Sequence, residues 1–346
     1  MGLRLEAEIT PAMSAAEVVK LTRLAEDAGF DRVGISDVPL YPDCFQLLTL
    51  CAQATRRVHL GPLVTNPYSH HPVLLASAAA TLQEVSAGRA FLGLGWGAGL
   101  EEIGIAQPKP VAALRESISI INGLLGGKTI THHGSVFHLS GATLVRKPQQ
   151  RVPIGIGTRS PQTMRLAGEL ADIAIVGARH MTADTARNYR NWVAQGASRA
   201  GHRAADVEIA PRLTLCASRD GAFAKRSVKL HVAYYLTLLK PPELVIDPRR
   251  MEKIEAAVHR ASGWYFAPDV FYPPELHELV GDDIVERFAI AGTPNECLAQ
   301  MRQFAQMGFS SASMNLAAVR RGPSMYDGLR ETITAFAEVI DQVKRL

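Results

Sequence analysis

Residues 3–36, LRLEAEITPAMSAAEVVKLTRLAEDAGFDRVGIS, hold the pattern from which the fold follows. Leu3 to Ile9 reads as a strand. Ala15 to Ala28 then places Val18, Val19, Leu21, Leu24 and Ala25 on one face at helical spacing, and Arg32 to Ser36 returns to strand. Gly29 stands where the helix should end, in a position that favours left-handed backbone. Two β-α units are therefore begun within the first tenth of the chain.

Outward from this segment the alternation continues. It predicts a helix over Asp43–Ala54, a strand over Val58–Thr65, a helix over Val73–Val85 closed near Gly88, a strand over Ala90–Leu94 and a helix from Lys109 to Leu125. The rhythm breaks at Thr129 to Val145, which alternates like a hairpin about Gly134 and Ser135. It resumes with strand Ile154–Ile156, helix Pro161–Leu170, strand Ile173–Val176, helix Ala183–Arg199 and strand Val207–Cys216. A helical region from Ala222 to Leu239 leads into a proline-rich stretch with short helical pieces. Helix Pro294–Met307, strand Ser311–Leu316 and a closing helix from Met325 to Lys344 complete the chain.

Eight strands, each followed by helix, require a parallel sheet with helices on its faces. The fold class is α/β, and eight units in 346 residues suit a (β/α)8 TIM barrel with insertions better than the alternative, an open doubly wound sheet. The expectation is a single domain over residues 1–346, with insertions at about 129–145 and 241–282.

Composition narrows the function classes. With 47% hydrophobic and 20% charged residues, 28 Gly and 20 Pro, the chain is neither disordered nor collagen-like. At this length it buries roughly three quarters of the surface its unfolded chain exposes, so it needs no disulfide or metal to fold. The net charge of +4 comes from 37 basic and 33 acidic residues spread along the chain, which argues against nucleic acid as a partner. No apolar stretch reaches the ~20 residues of a membrane span. Glu6 and Glu8 fall where a signal peptide would be apolar, so the expected location is cytoplasmic. Cys44, Cys51, Cys216 and Cys297 match neither a zinc pattern nor a disulfide framework and read as reduced, mostly buried thiols.

In a barrel the chemistry gathers at the C-terminal strand ends. The first strand ends at Glu8 and the second at Ser36 and Asp37, two carboxylates suited to acid–base work or to holding a ligand ring. After the third strand, Gly61 to Pro72 holds three prolines, Asn66 and the pair His70-His71. Adjacent histidines rarely point the same way and no further ligand accompanies them, so they read as residues of a helix N-terminus and no metal site is expected. The fourth strand ends in Gly93-Leu94-Gly95-Trp96-Gly97-Ala98-Gly99, where bare backbone admits a flat or phosphorylated ligand. Pro153 to Pro161, PIGIGTRSP, is a short strand, a Gly/Thr/Arg/Ser turn and a helix start. That is a ready site for an anion, although Ser160 is equally an ordinary N-cap. Gly177 and Ala178 end the neighbouring strand.

Taken in order, Glu8-Ile9-Thr10-Pro11, Ala25 to Phe30, Gly61 to Pro72, Ser86 to Arg89, Leu166 to Asp172 and Phe288 to Pro294 resemble the bacterial-luciferase-like superfamily of flavin and deazaflavin oxidoreductases. Within it they look closest to the methylenetetrahydromethanopterin reductases that use coenzyme F420. The resemblance implies a barrel mouth that holds the deazaflavin ring, with a non-prolyl cis peptide between Leu63 and Val64 behind it. It implies the cofactor phosphate at Gly157, Thr158, Arg159 and Ser160 with Gly177 and Ala178 alongside, and a ring pocket of Asp37, Thr65, Asn66, Trp96 and Gly97. Glu8 matches a carboxylate proposed to act as an acid–base group in that reductase.

Two departures separate this chain from the family pattern: Val38 follows Asp37 where His is frequent, and Ala98 stands where an acidic residue often follows the glycines. The expectation is therefore an F420-dependent oxidoreductase that transfers a hydride between the cofactor C5 and a small organic substrate (C=N, C=O or C=C), with catalytic residues Glu8 and Asp37. The alternatives are an FMN-dependent luciferase-like monooxygenase and a non-catalytic flavin-binding barrel. A homodimer is expected, and Trp96, Trp264 and Tyr265 are the large rings expected near the mouth.

Overall fold

The computed structural model describes residues 2–177, 180, 182–261 and 271–346. Its strands are β1 (Arg4–Ile9), β2 (Arg32–Ile35), β3 (His59–Pro62), β4 (Leu92–Leu94), β5 (Ile130–His133), β6 (His138–Ala142), β7 (Ile154–Thr158), β8 (Ile173–Val176), β9 (Glu208–Ala217), β10 (Ala289–Gly292) and β11 (Ser311–Leu316). Eight parallel strands pair in the order β3-β2-β1-β11-β9-β8-β7-β4. Bridges Leu60 to Ala90 and Thr65 to Leu94 join β3 to β4 and bring the ring to closure. These are the eight strands that the sequence pattern predicts, and the open-sheet alternative is excluded. The antiparallel pair β5-β6 forms the hairpin between β4 and β7.

Local chemistry explains the element boundaries. Ser14 accepts from the Glu17 amide and Glu17 reaches back to the Ser14 amide, a capping box that starts helix Ala15–Ala28. Gly29 ends it at φ 104°, a left-handed conformation that other residues resist. Asp43, Ser160, Thr293 and Ser324 likewise cap the helices that follow them.

Several elements differ from expectation. Regular strand over Val58–Thr65 is confined to His59–Pro62; Leu63 N still donates to the Ile35 carbonyl at 2.8 Å, but Thr65 then pairs with Leu94 of β4 instead of with β2. The region Ala222–Leu239 is two helices, Gly221–Ser227 and Lys229–Leu239, that meet at Val228. The closing helix breaks at Glu338 and Val339 into Met325–Ala337 and Ile340–Lys344. The sequence pattern also misses β10, four residues that pair with the far end of β9 from Ala289↔Thr214 to Gly292↔Ala217. In the proline-rich stretch Asp247 caps a helix over Pro248–Arg260, and a short turn of helix follows at Leu276–Leu279.

Two layers of packing result. Leu5, Ala7 and Ile9 of β1 join Leu213 and Leu215 of β9 and Met314 and Leu316 of β11 in a buried layer under the helices. Each such Leu or Ile contributes about 1.5–3 kcal/mol. The barrel interior is divided. Leu63, Phe91, Ile173, Ile175 and Ala210 make an apolar half, while β1 and β11 contribute buried Glu6, Glu8, Ser313 and Asn315 in register.

Candidate active site

A cavity of about 490 Å³ opens at the C-terminal ends of the strands, within the usual size of a small-molecule site. Its lining includes Glu8, Asp37, Leu63, Val64, Trp96, Gly97, Gly157, Thr158, Arg159, Ser160 and Gly177. The structure thus brings together most of the residues that the sequence singled out. Thr65 and Asn66 are buried behind the wall instead, and Ala178 lies outside the described residues, as do Trp264 and Tyr265. A larger depression, about 1010 Å³, lies at the opposite barrel end. Several of its charges are already paired: Arg4 with Glu208 at 3.0 Å, Arg32 with Glu6 at 3.0 Å and Lys344 with Asp31 at 2.7 Å.

One side of the site is built on Asp37. Thr65 Oγ1 donates to Asp37 Oδ2 at 2.6 Å, and His70 Nδ1 faces the same oxygen at 3.6 Å. Asn66 shapes the loop that delivers His70, because its Oδ1 accepts the amides of Tyr68 and Ser69 at 3.0 and 2.9 Å. His71 is the N-cap of helix Pro72–Val85, with Nδ1 accepting the Val73 amide at 3.3 Å. The paired histidines thus divide their roles: His71 starts a helix and His70 backs a carboxylate. Among the described residues no group of three His, Cys, Asp or Glu side chains is placed to hold a metal ion. The nearby Cys44 thiol donates to the Ile35 carbonyl at 3.3 Å. Burial and the charges of Asp37 and Asp43 push its pKa well up, so it stays a neutral thiol.

The floor is built on Glu8, whose side chain is fully buried. Arg212 of β9 closes on it from across β11, with Nε toward Oε2 and Nη2 toward Oε1. Ser36 Oγ donates to Oε1 at 2.9 Å. Both carboxylate oxygens are thus engaged. The sequence reading missed Arg212, although a signal was present. Glu208, Arg212 and Thr214 all fall on even positions of an otherwise apolar strand, and alternation assigns them to one face.

Another wall is glycine backbone packed against Val64. A Cβ on Gly95 would stand 2.6 Å from a Val64 methyl, and one on Gly157 would stand 3.0 Å from the other, so bare backbone flanks Val64. The Leu63–Val64 peptide is cis. Beside Gly157, Ser160 Oγ accepts the Thr163 amide at 3.2 Å and caps helix Pro161–Leu170. The positive end of that helix therefore faces the cavity at Thr158 to Ser160. Arg159 lies over the Tyr235 ring at 5.8 Å. Tyr234 and Tyr235, from helix Lys229–Leu239, complete the lining.

The sequence profile of one family, described as luciferase-like monooxygenase, matches residues 3–311. The chain belongs to the luciferase-like monooxygenase family. Among its relatives, the 5,10-methylenetetrahydromethanopterin reductase of Archaeoglobus fulgidus is 32% identical over 303 residues, covering 87% of this chain and 90% of the relative. The reductase of the same name from Methanolobus tindarius is 31% identical over 311 residues, with the same coverage of each chain. The solved coenzyme F420-dependent tetrahydromethanopterin reductase of Methanopyrus kandleri superposes with a TM-score of 0.81 at 23% identity, covering 99% of this chain and all of the other. That superposition places this member of the luciferase-like family in the same barrel architecture.

Proposed function

We propose that the chain is a coenzyme F420-dependent oxidoreductase that moves a hydride between the deazaflavin C5 and a small organic substrate. The observation that carries the reading is one cavity lined at once by a bare-backbone wall, a helix N-terminus with an arginine, and two carboxylates. The residues fit the cofactor: Val64, seated on the bare backbone of Gly95 and Gly157, offers a ring a wall to lie against, and Thr158 to Ser160 at the helix N-terminus offer donors to a phosphate. When bound, the deazaflavin supplies the hydride chemistry, which needs little covalent help from protein.

What the chain must add is orientation and the handling of one proton. Of the two expected carboxylates, the geometry favours Asp37 as the proton carrier. Glu8 is fully buried and spends both oxygens on Arg212 and Ser36. Asp37 lines the cavity with Oδ1 free of any described partner, and half-exposed His70 backs its other oxygen. Glu8 then serves as the counter-charge that holds Arg212.

The test is anaerobic mixing of the protein with reduced F420 and a panel of imines, ketones and enones, following reoxidation of the deazaflavin. Turnover with at least one substrate class is expected. No reoxidation with any class, together with oxygen-dependent oxidation of reduced FMN, would overturn the reading in favour of a flavin monooxygenase.

Three further expectations belong to this proposal. The chain acts as one domain, and it works in the cytoplasm; no helix among the described residues is long and apolar enough to cross a membrane. It pairs as a homodimer, for which exposed Leu50 and Leu74 on the neighbouring helices Cys44–Ala54 and Pro72–Val85 offer an apolar face.

A further inference from the structure

We propose that Arg212 makes the cavity floor a receptor for a substrate oxygen that gains negative charge, so that the substrate is a ketone, aldehyde or conjugated ketone and not a cationic iminium. The inference rests on the F420 reading, since it concerns the acceptor of the hydride.

Three observations carry it. Arg212 uses Nε and Nη2 on Glu8, while Nη1 makes no hydrogen bond or ion pair with any described residue. The guanidinium side chain is 24% exposed and lines the cavity, whereas the Glu8 side chain is 0% exposed, so the positive partner is the one presented. Of the other charges on the lining, Arg159 belongs to the helix N-terminus, and Asp37 holds Thr65 and faces His70 through Oδ2, which leaves Oδ1 for the proton.

This arrangement discriminates between acceptors. An iminium is positively charged before hydride arrives and neutral afterwards. At the floor it would meet the guanidinium of Arg212, behind which Glu8 is already neutralised. A carbonyl changes in the opposite sense. As the hydride electron pair becomes the new C–H bond, the C=O π pair moves to oxygen, which takes the proton that Asp37 relays from water. Meanwhile a ring N–H proton of the reduced deazaflavin passes to water, and the cofactor ends two electrons oxidised. A fixed guanidinium N–H aimed at that oxygen stabilises the charge as it develops. Arginine suits the place because it remains charged and its fork is held by Glu8 before substrate arrives.

The test is equilibrium binding of two non-reactive probes to the F420-loaded protein, isobutyrate as the anionic oxygen and pyrrolidinium as the cation. Wild type is expected to bind isobutyrate and to reject pyrrolidinium. Arg212→Met is expected to weaken isobutyrate at least about tenfold, with Arg212→Lys in between. For a turned-over ketone, Arg212→Met lowers kcat by about 10²–10³-fold, as loss of an oxyanion donor does. Should Arg212→Met not fold because Glu8 is left unpaired, Glu8→Gln with Arg212→Met removes both charges and answers the same question. Pyrrolidinium binding more tightly than isobutyrate to wild type, or isobutyrate affinity unchanged in these variants, overturns the proposal. If wild type binds no F420, the cofactor assignment fails separately, and the same two probes on the cofactor-free chain still decide the role of Arg212.

Discussion

Asp37 and Glu8 are both carboxylates at strand ends, yet their surroundings give them opposite work. Glu8 is closed in by Arg212 and Ser36, so its replacement is felt first in stability. Glu8→Gln is expected to cost about 3–5 kcal/mol in chemical unfolding, because it leaves the guanidinium without its counter-ion. An unchanged unfolding midpoint would show the pair to be dispensable. Asp37→Asn should leave stability nearly intact and lower kcat by about 10²–10⁴-fold, the usual contribution of a general acid–base group. Retention of full turnover in Asp37→Asn would remove it from the reaction.

At the scale of elements, two contacts hold the site-bearing segments in place. Helices Pro161–Leu170 and Ala183–Arg199 cross at Gly168 and Gly196. A Cβ on Gly168 would stand 2.0 Å from the Val193 carbonyl oxygen, and one on Gly196 would stand 1.8 Å from that of Arg165. Both clashes are with backbone, so neither can be relieved by a rotamer change. Gly196→Ala is expected to destabilise by about 1–3 kcal/mol or more, visible as a drop of several degrees in Tm. Loss of cofactor affinity should accompany it, since the first of these helices begins at Ser160. The second contact is Glu116, on helix Pro110–Leu125, which grips the β5-β6 hairpin through the amides of Ser135, Val136 and Phe137 at 2.8, 3.1 and 3.0 Å. Burial works against its charge, but these donors outweigh burial and hold its pKa at about 2. A depressed carboxylate stabilises fully above its unfolded pKa near 4.3 and loses that contribution as pH falls toward 2. Hydrogen exchange at the hairpin amides should accelerate over that window in wild type. In Glu116→Ala exchange should be fast at every pH, and an unaltered profile would remove the clamp.

At the scale of the whole molecule, the barrel was legible because helices with one apolar face and strands of apolar residues alternate through most of the chain. The mouth was legible because glycines, a cap and carboxylates mark strand ends, where topology requires the ligand. What escaped was long-range. Nothing near Arg212 in sequence names Glu8, 204 positions away, as its partner. Nothing at His70 points to Asp37, which only the β2 and β3 pairing brings beside it. Strand β10 escaped because four apolar residues, Ala289 to Gly292, between two helices have no periodicity of their own. The central claim concerns what the mouth holds, and equilibrium titration of purified protein with F420 and, separately, with FMN tests it most directly. The account predicts that F420 binds more tightly by at least about a hundredfold, ~2.7 kcal/mol. Tight FMN binding with no measurable F420 binding would contradict it.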